Sequence, residues 1–334
     1  MKTDLLVPAP EAIARAVELL AAGEPVALPT ETVYGLAADA TNPQAVLKIF
    51  EAKERPFFDP LIVHLPDLCW LDRLTQNRDP VVDRLAAKFW PGPLTLVLPR
   101  RPIVPDVVTS GLPTVAVRMS AHPVFREICA KFGTPLAAPS ANRFGRISPT
   151  QASHVLSELT GRIPLIVDGG PTVHGIESTI VTVENSRIRI LRAGPVTPEE
   201  LAGFGEVVAN AGAEGGTPEA PGQLKSHYAP RTKMRIISSP ETKPDILNLN
   251  SQISNFSGIR VGLLAWSALP LLCDFAAIEV LSPAADLREA SATLFAKMRR
   301  LDEAGLDLIV AEQVPEIGLG IAIMDRLRKA SAGE

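Results

Sequence analysis

Two cations separated by one residue, Lys53 and Arg55, stand immediately before Pro56. The proline pushes Arg55 out of the α region, so a helix reaching Lys53 ends there and both side chains can converge on one anion. A lysine point charge beside a forked guanidinium suits a polyphosphate. A solvated basic helix end that complements the macrodipole accounts for the same two residues. Upstream, Pro29-Thr30-Glu31-Thr32 breaks an apolar run with two hydroxyls and a carboxylate, which offers hydrogen-bonding groups at a strand end. Downstream, His64 sits inside Leu61–Leu65, and a histidine in such a strand is also a common core residue. Thr114, Ala116 and Arg118 share one face of a strand by the period of two, consistent with a ligand-facing side or with an arginine paired on an edge strand. Residues 140–150, SANRFGRISPT, form a polar turn with two arginines that leads into a helix, either a phosphate cradle or a capped helix start.

The elements that must hold these groups follow from pattern. Helices are expected from about Pro10 to Ala22, from Pro43 to Ala52 behind the Asn42-Pro43 start, over Pro80–Phe89, and from about Gln151. Strands are expected at Val26–Leu28, Leu61–Leu65, Leu94–Leu98, Thr114–Met119, Leu136–Pro139 and Ile163–Val167, followed by a hairpin across ESTIV and IRILRAG. Residues 204–231 change character, with Gly, Ala, Glu and Pro dominant up to Ala220, a linker composition. Beyond Lys233, strands at Met234–Ile237, Arg260–Ala265, Ala277–Leu281 and Leu308–Glu312 alternate with helices Leu287–Ala304 and Leu319–Ala330, which implies a small, mostly parallel α/β domain. Gly318-Leu319-Gly320 is too short to be a dinucleotide loop.

PTETVYGL at 29–36, the Lys53-Glu54-Arg55-Pro56 turn, PLIVH at 60–64, WPGPLTLVL at 90–98, PSAN at 139–142, ESTIV at 177–181, HYAP at 227–230 and the closing GLGIAIMDRLRKA occur in one order. Together they resemble the YrdC-type threonylcarbamoyl-AMP synthases in their long, two-domain form. The resemblance implies a YrdC-like twisted mixed sheet flanked by helices with a concave cleft over residues 1–205. It implies a segment at 206–231 that folds over the active site, and a Rossmann-like α/β domain at 232–334.

It also implies an enzyme that converts L-threonine, bicarbonate and ATP to threonylcarbamoyl-AMP and pyrophosphate, for threonylcarbamoyladenosine in tRNA. By residue-wise resemblance Lys53, Arg55, Ser140 and Asn142 form the catalytic set, while Thr32, His64, Arg118, Ser178 and the backbone at Ala138 hold threonine. Arg55, Asp59, Thr114, Ser140, Ser148, Arg192 and Tyr228 surround ATP, with Lys53 and Asn142 beside them. Mg²⁺ accompanies ATP, and no residue is assigned as a metal ligand. Glu54 stands where glycine is usual in this family and Asp59 where asparagine commonly precedes Pro-Leu, so both depart from its pattern.

Composition bounds the alternatives. With 334 residues, two domains are the natural expectation. The chain carries 33 basic and 37 acidic residues, and residues 232–334 carry 11 and 13, so neither part is a basic nucleic-acid module. Contact with tRNA is therefore expected to be weak or indirect, with the downstream tRNA threonylcarbamoyl-transfer machinery as partner. Three cysteines without CxxC spacing, no signal-peptide core and no membrane-length apolar run suit a soluble, cytoplasmic protein. Two other readings stand beside the synthase. A non-catalytic double-stranded RNA or tRNA binder would weaken steeply with salt. A carbamoyl-phosphate-dependent relative of hydrogenase maturation would bring zinc-finger cysteines, and no CxxC occurs here.

Overall fold

A computed structural model describes residues 1–76, 78–209, 218–237, 258–267 and 275–332. The chain divides into a first unit, residues 1–144 and 148–224, and a second, residues 145–147 and 225–334.

In the first unit the strands are β1 (Asp4–Leu6), β2 (Val26–Leu28), β3 (Gly35–Asp39), β4 (Ile62–His64), β5 (Leu94–Pro99), β6 (Thr114–Arg118), β7 (Leu136–Ala137), β8 (Leu165–Val167), β9 (Thr179–Glu184), β10 (Arg187–Arg192) and β11 (Glu206–Ala209). The helices are α1 (Pro10–Ala21), α2 (Pro43–Lys53), α3 (Cys69–Leu74), α4 (Pro80–Phe89), α5 (Asp106–Thr109), α6 (Pro123–Phe132), α7 (Ala152–Leu159) and α8 (Pro198–Leu201). The strands form one mixed sheet in the order β1-β8-β2-β3-β7-β4-β6-β5-β9-β10-β11.

Alternation along the strands sorts the side chains into two faces. Val26 and Leu28 of β2, with Leu165 and Val167 of β8, pack under Ile13 and Leu20 of α1 and Phe125 and Ile128 of α6. Ala27 and Ile166 between them point the other way, into the core shared with Ile49 and Phe50 of α2 and Leu85 of α4. Further along the sheet, Ile62, Val97, Ala116 and Ile180 line the face opposite that second core. His64 and Arg118, two residues past Ile62 and Ala116 and paired in register, share it. The helix starts are those expected: Asn42 caps α2 by accepting from the Gln44 and Ala45 amides, and Asp79 caps α4.

Five described elements escape the sequence patterns. β3 is built of Gly, Leu and Ala before a closing Asp39, α3 and α5 are short helices, α6 begins at Pro123, and β11 lies in the stretch that composition reads as linker, where it pairs parallel with β10. Residues 210–217 of that expected linker lie outside the described residues. The β9–β10 hairpin turns at Asn185 and Ser186, both at positive φ, and a bulge between Ile190 and Arg192 interrupts its register.

The second unit holds a parallel four-stranded sheet, β12 (Lys233–Ile237), β13 (Val261–Ala265), β14 (Ala277–Val280) and β15 (Leu308–Glu312), in the order β12-β15-β13-β14. The helix Leu287–Glu303, capped by Asp286, contacts β13 and β14, and the helix Leu319–Ser331 contacts β12. Among the described residues no helix is long and apolar enough to cross a membrane. Cys69 and Cys129 are free thiols.

Gly194 follows β10 where the chain passes against the start of β9. A Cβ there would lie 2.4 Å from the Thr179 amide nitrogen and 2.6 Å from the Glu177 carbonyl, backbone atoms with no freedom to rotate away. Gly194→Ala is expected to destabilise the first unit by about 1–3 kcal/mol. Thermal unfolding of the two proteins checks this, and an unchanged melting temperature would contradict the backbone contact.

Candidate active site

Arg118 closes β6, and its guanidinium is buried, as a charge tolerates only when paired. Nη2 donates to Glu31 Oε1 at 2.6 Å, Nη1 to Thr32 Oγ1 at 3.0 Å and Nε to the Gly92 carbonyl at 3.2 Å. Glu31 Oε2 accepts from Ser120 Oγ at 2.5 Å, so both carboxylate oxygens are held. Burial alone would raise the Glu31 carboxyl, but the Arg118 charge and the Ser120 hydroxyl outweigh it and lower it to about 2. A guanidinium has five N–H donors, so these three bonds leave one N–H on each terminal nitrogen.

Beside this pair His64 is buried against the Phe125 ring, 4.5 Å between centroids. Burial first, and the Arg118 charge second, lower the His64 imidazole from 6.5 to about 3, so it is neutral. Its Nδ1 is buried without a hydrogen bond. The Ala138 amide donates to the Ile62 carbonyl at 2.9 Å, so what Ala138 can still offer a ligand is its carbonyl oxygen.

A second group of expected residues gathers around the end of α2. Glu54 takes the left-handed conformation, φ 53°, and ends the helix where Pro56 requires. Lys53 and Arg55 then turn inward rather than to solvent. Lys53 Nζ donates to the carbonyls of Ser140 and Asn142, while the Phe144 amide donates to the Lys53 carbonyl at 2.9 Å. Burial and the neighbouring Arg55 charge push the Lys53 ammonium well below its ordinary value. The Arg55 guanidinium bonds the carbonyls of Asp59 and Pro60. Asp59 Oδ2 lies 2.8 Å from Arg55 Nη2, an ion-pair distance that is out of line for a hydrogen bond, and burial pushes its carboxyl up. Lys53, Arg55 and Arg192 all lower it electrostatically, so the aspartate that departs from the family pattern sits among cations.

At the far side of the sheet, the bulge in β10 brings Arg192 opposite Ile180, on the face that carries Arg118. Its guanidinium bonds the Ser178 carbonyl and Oγ, and Thr95 Oγ1 lies 2.8 Å from that Oγ. Ser148 Oγ bonds the buried Glu177 carboxylate, and Thr114 is half-buried at the start of β6. Tyr228 belongs to the second unit, where it stacks on Phe295 at 5.5 Å and meets His227 edge-on at 4.2 Å.

Glu31, whose carboxylate the sequence marks without a role, joins Ser120 and Glu177 as polar groups of the site that the motifs do not assign. Ser120 was reachable, since it lies two residues past Arg118 and continues the period of two. Among the described residues no group of three His, Cys, Asp or Glu side chains could hold a metal ion.

Acid should unfold the protein through His64 first. Its folded value lies below its ordinary 6.5, so the unfolded chain binds the proton more readily, and the stability present above 6.5 is lost as pH falls toward 3. Glu31 follows the same sign, losing its contribution between 4.5 and about 2. Removing the imidazole in His64→Leu should flatten the first part of the denaturant-midpoint curve. The difference between the two proteins should reach on the order of 2 kcal/mol near a pH of about 4.5. Parallel curves would contradict a neutral buried His64.

The family model described as "Telomere recombination", which bears the name Sua5_yciO_yrdC, matches residues 18–194. The model described as "Threonylcarbamoyl-AMP synthase, C-terminal domain" matches residues 196–332. The chain is 42% identical to the threonylcarbamoyl-AMP synthase of Bacillus subtilis, covering 96% of this chain and 93% of that one. It is 41% identical to the threonylcarbamoyl-AMP synthase of Pyrococcus abyssi, covering 92% and 91%. The crystal structure of P. abyssi Sua5 complexed with L-threonine superposes with a TM-score of 0.90 at 38% identity, covering 99% of this chain and 98% of that one. Since these matches run along nearly the whole length of both partners, and the two models divide residues 18–332 between them, the chain belongs to the Sua5/YciO/YrdC family in its two-domain form.

Proposed function

We propose that this chain is an L-threonylcarbamoyladenylate synthase, a nucleotidyltransferase that makes threonylcarbamoyl-AMP and pyrophosphate from L-threonine, bicarbonate and ATP. The observation that carries the reading is Arg118: buried, fixed on three sides, and retaining one N–H on each terminal nitrogen, beside the Thr32 hydroxyl and a neutral His64. Such a fork grips a carboxylate. The carboxylate of threonine would take those two donors, and its amine would face the Ala138 carbonyl.

The amine, once deprotonated, bonds to the carbon of bicarbonate-derived carbon dioxide to give a carbamate. A carbamate oxygen then attacks the α-phosphorus of ATP as the bond to the bridging oxygen breaks and pyrophosphate leaves. Lys53, Arg55, Ser140 and Asn142 would line the phosphates, with Thr114, Ser148 and Arg192 around the remainder of ATP. Holding the reactants together is worth roughly 7–11 kcal/mol of the barrier, and fixed cations stabilise charge at the phosphates. Asp59, whose buried carboxylate accepts no hydrogen bond, would hold a magnesium ion carried in on the phosphates, and the ion supplies further charge neutralisation there. The acyl-adenylate is then a donor for the tRNA threonylcarbamoyl-transfer machinery, and we place this work in the cytoplasm.

Pyrophosphate release by the purified protein should require ATP, threonine and bicarbonate together. Arg118→Ala should lower kcat/KM for threonine by at least about 100-fold, as loss of a charge-assisted bidentate contact implies. Release that ignores threonine, or a variant as active as the parent, would sink the reading. Steep salt-dependent RNA binding without turnover would favour a nucleic-acid binder instead.

A further inference from the structure

Glu31 is a carboxylate that the proposed reaction does not use, held deep beside the group that would grip the substrate. Its two oxygens are taken by Arg118 and Ser120, and its backbone carbonyl accepts from the His174 amide, so the carboxylate and the carbonyl are both fixed. Among the described residues, the ionised groups in direct contact here are Arg118, positive, and Glu31, negative, and the His64 imidazole that senses both is neutral. His122, close enough to Glu31 to sense its charge, is lowered by burial and adds none at neutral pH.

A pocket with no net charge and low dielectric accepts a guest of no net charge at least cost, because an uncompensated buried ion is expensive. The zwitterion of an α-amino acid meets that condition. A carboxylate without the ammonium group does not, for it would leave two negative groups around one guanidinium. We infer that Glu31 is a positioning and specificity residue: it fixes the Arg118 fork before substrate arrives and keeps the pocket neutral, so that it takes a zwitterionic amino acid and rejects the bare hydroxy acid. This rests on Arg118 receiving the threonine carboxylate.

The experiment compares L-threonine with 3-hydroxybutanoate, which keeps the carboxylate, hydroxyl and methyl groups but lacks the amine. Calorimetric titration of the full chain reads both dissociation constants without turnover. The parent protein should bind 3-hydroxybutanoate at least about 30-fold more weakly than threonine. In Glu31→Gln threonine should weaken and 3-hydroxybutanoate strengthen, closing the gap by at least about tenfold, while Glu31→Asp, which keeps the charge, should hold the parent's ratio within about threefold.

Equal weakening of both ligands in Glu31→Gln is the signature of a purely structural role and overturns the inference. Should that variant not fold, the parent and Glu31→Asp decide the matter. Equal affinity for the two ligands in the parent, or a collapsed ratio in Glu31→Asp, overturns it as well. A parent that binds threonine selectively yet releases no pyrophosphate counts against the synthase reading and leaves the role of Glu31 standing.

Discussion

The buried pairing of Arg118 with Glu31 governs the geometry of the first unit's site. The partners are 87 residues apart, so the pair ties the turn after β2 to the end of β6 across the intervening strands β3, β7 and β4. Neither charge is affordable alone at that depth, and removing one partner of such a pair typically costs about 3–5 kcal/mol. The pair also sets the state of its surroundings. The guanidinium helps keep His64 neutral, and the carboxylate fixes Ser120 and, through its backbone, the chain at His174. On the proposed reading, a substrate carboxylate would meet a guanidinium already held in place, which lowers the ordering cost of binding.

Local pattern carried much of the scaffold. Asn42-Pro43 and Asp79-Pro80 announce their helices through a side-chain acceptor and a proline whose missing N–H costs nothing at the first turn. Alternation along β6 puts Thr114, Ala116 and Arg118 on one face, and the register of β4 against β6 adds His64 to it. What escaped was not written locally. β3 is a run of Gly, Leu and Ala whose strand character comes from its neighbours β2 and β7, and β11 is a strand only because β10 offers it an edge. The Glu31 carboxylate was visible in its turn, but nothing nearby in sequence names a partner 87 residues on. The same holds for the inward aim of Lys53, whose acceptors at Ser140 and Asn142 lie in another segment.

That inward aim gives Lys53 and Arg55 two duties. Both bond backbone carbonyls of the loops that would surround the phosphates, so the cations suited to ATP also hold those loops in place. In the proposed reading, phosphate recognition and loop architecture would rest on the same two side chains. The charges of Lys53, Arg55 and Arg192 converge on Asp59, which tempers a cluster that would otherwise repel itself.

The bulge between Ile190 and Arg192 acts on β10 as a frameshift acts on a reading frame. Upstream of it, Ile190 belongs with the core under α2 and α4; downstream, the parity is inverted and Arg192 reaches Ser178 instead. Were the same residues in strict alternation, without the bulge, Arg192 would share the face of Ile190 and its guanidinium would enter that apolar core. The extra residue, Leu191, is thus what lets a ladder that sets Ile190 opposite Val181 also set Arg192 opposite Ile180, one step along β9 for two along β10.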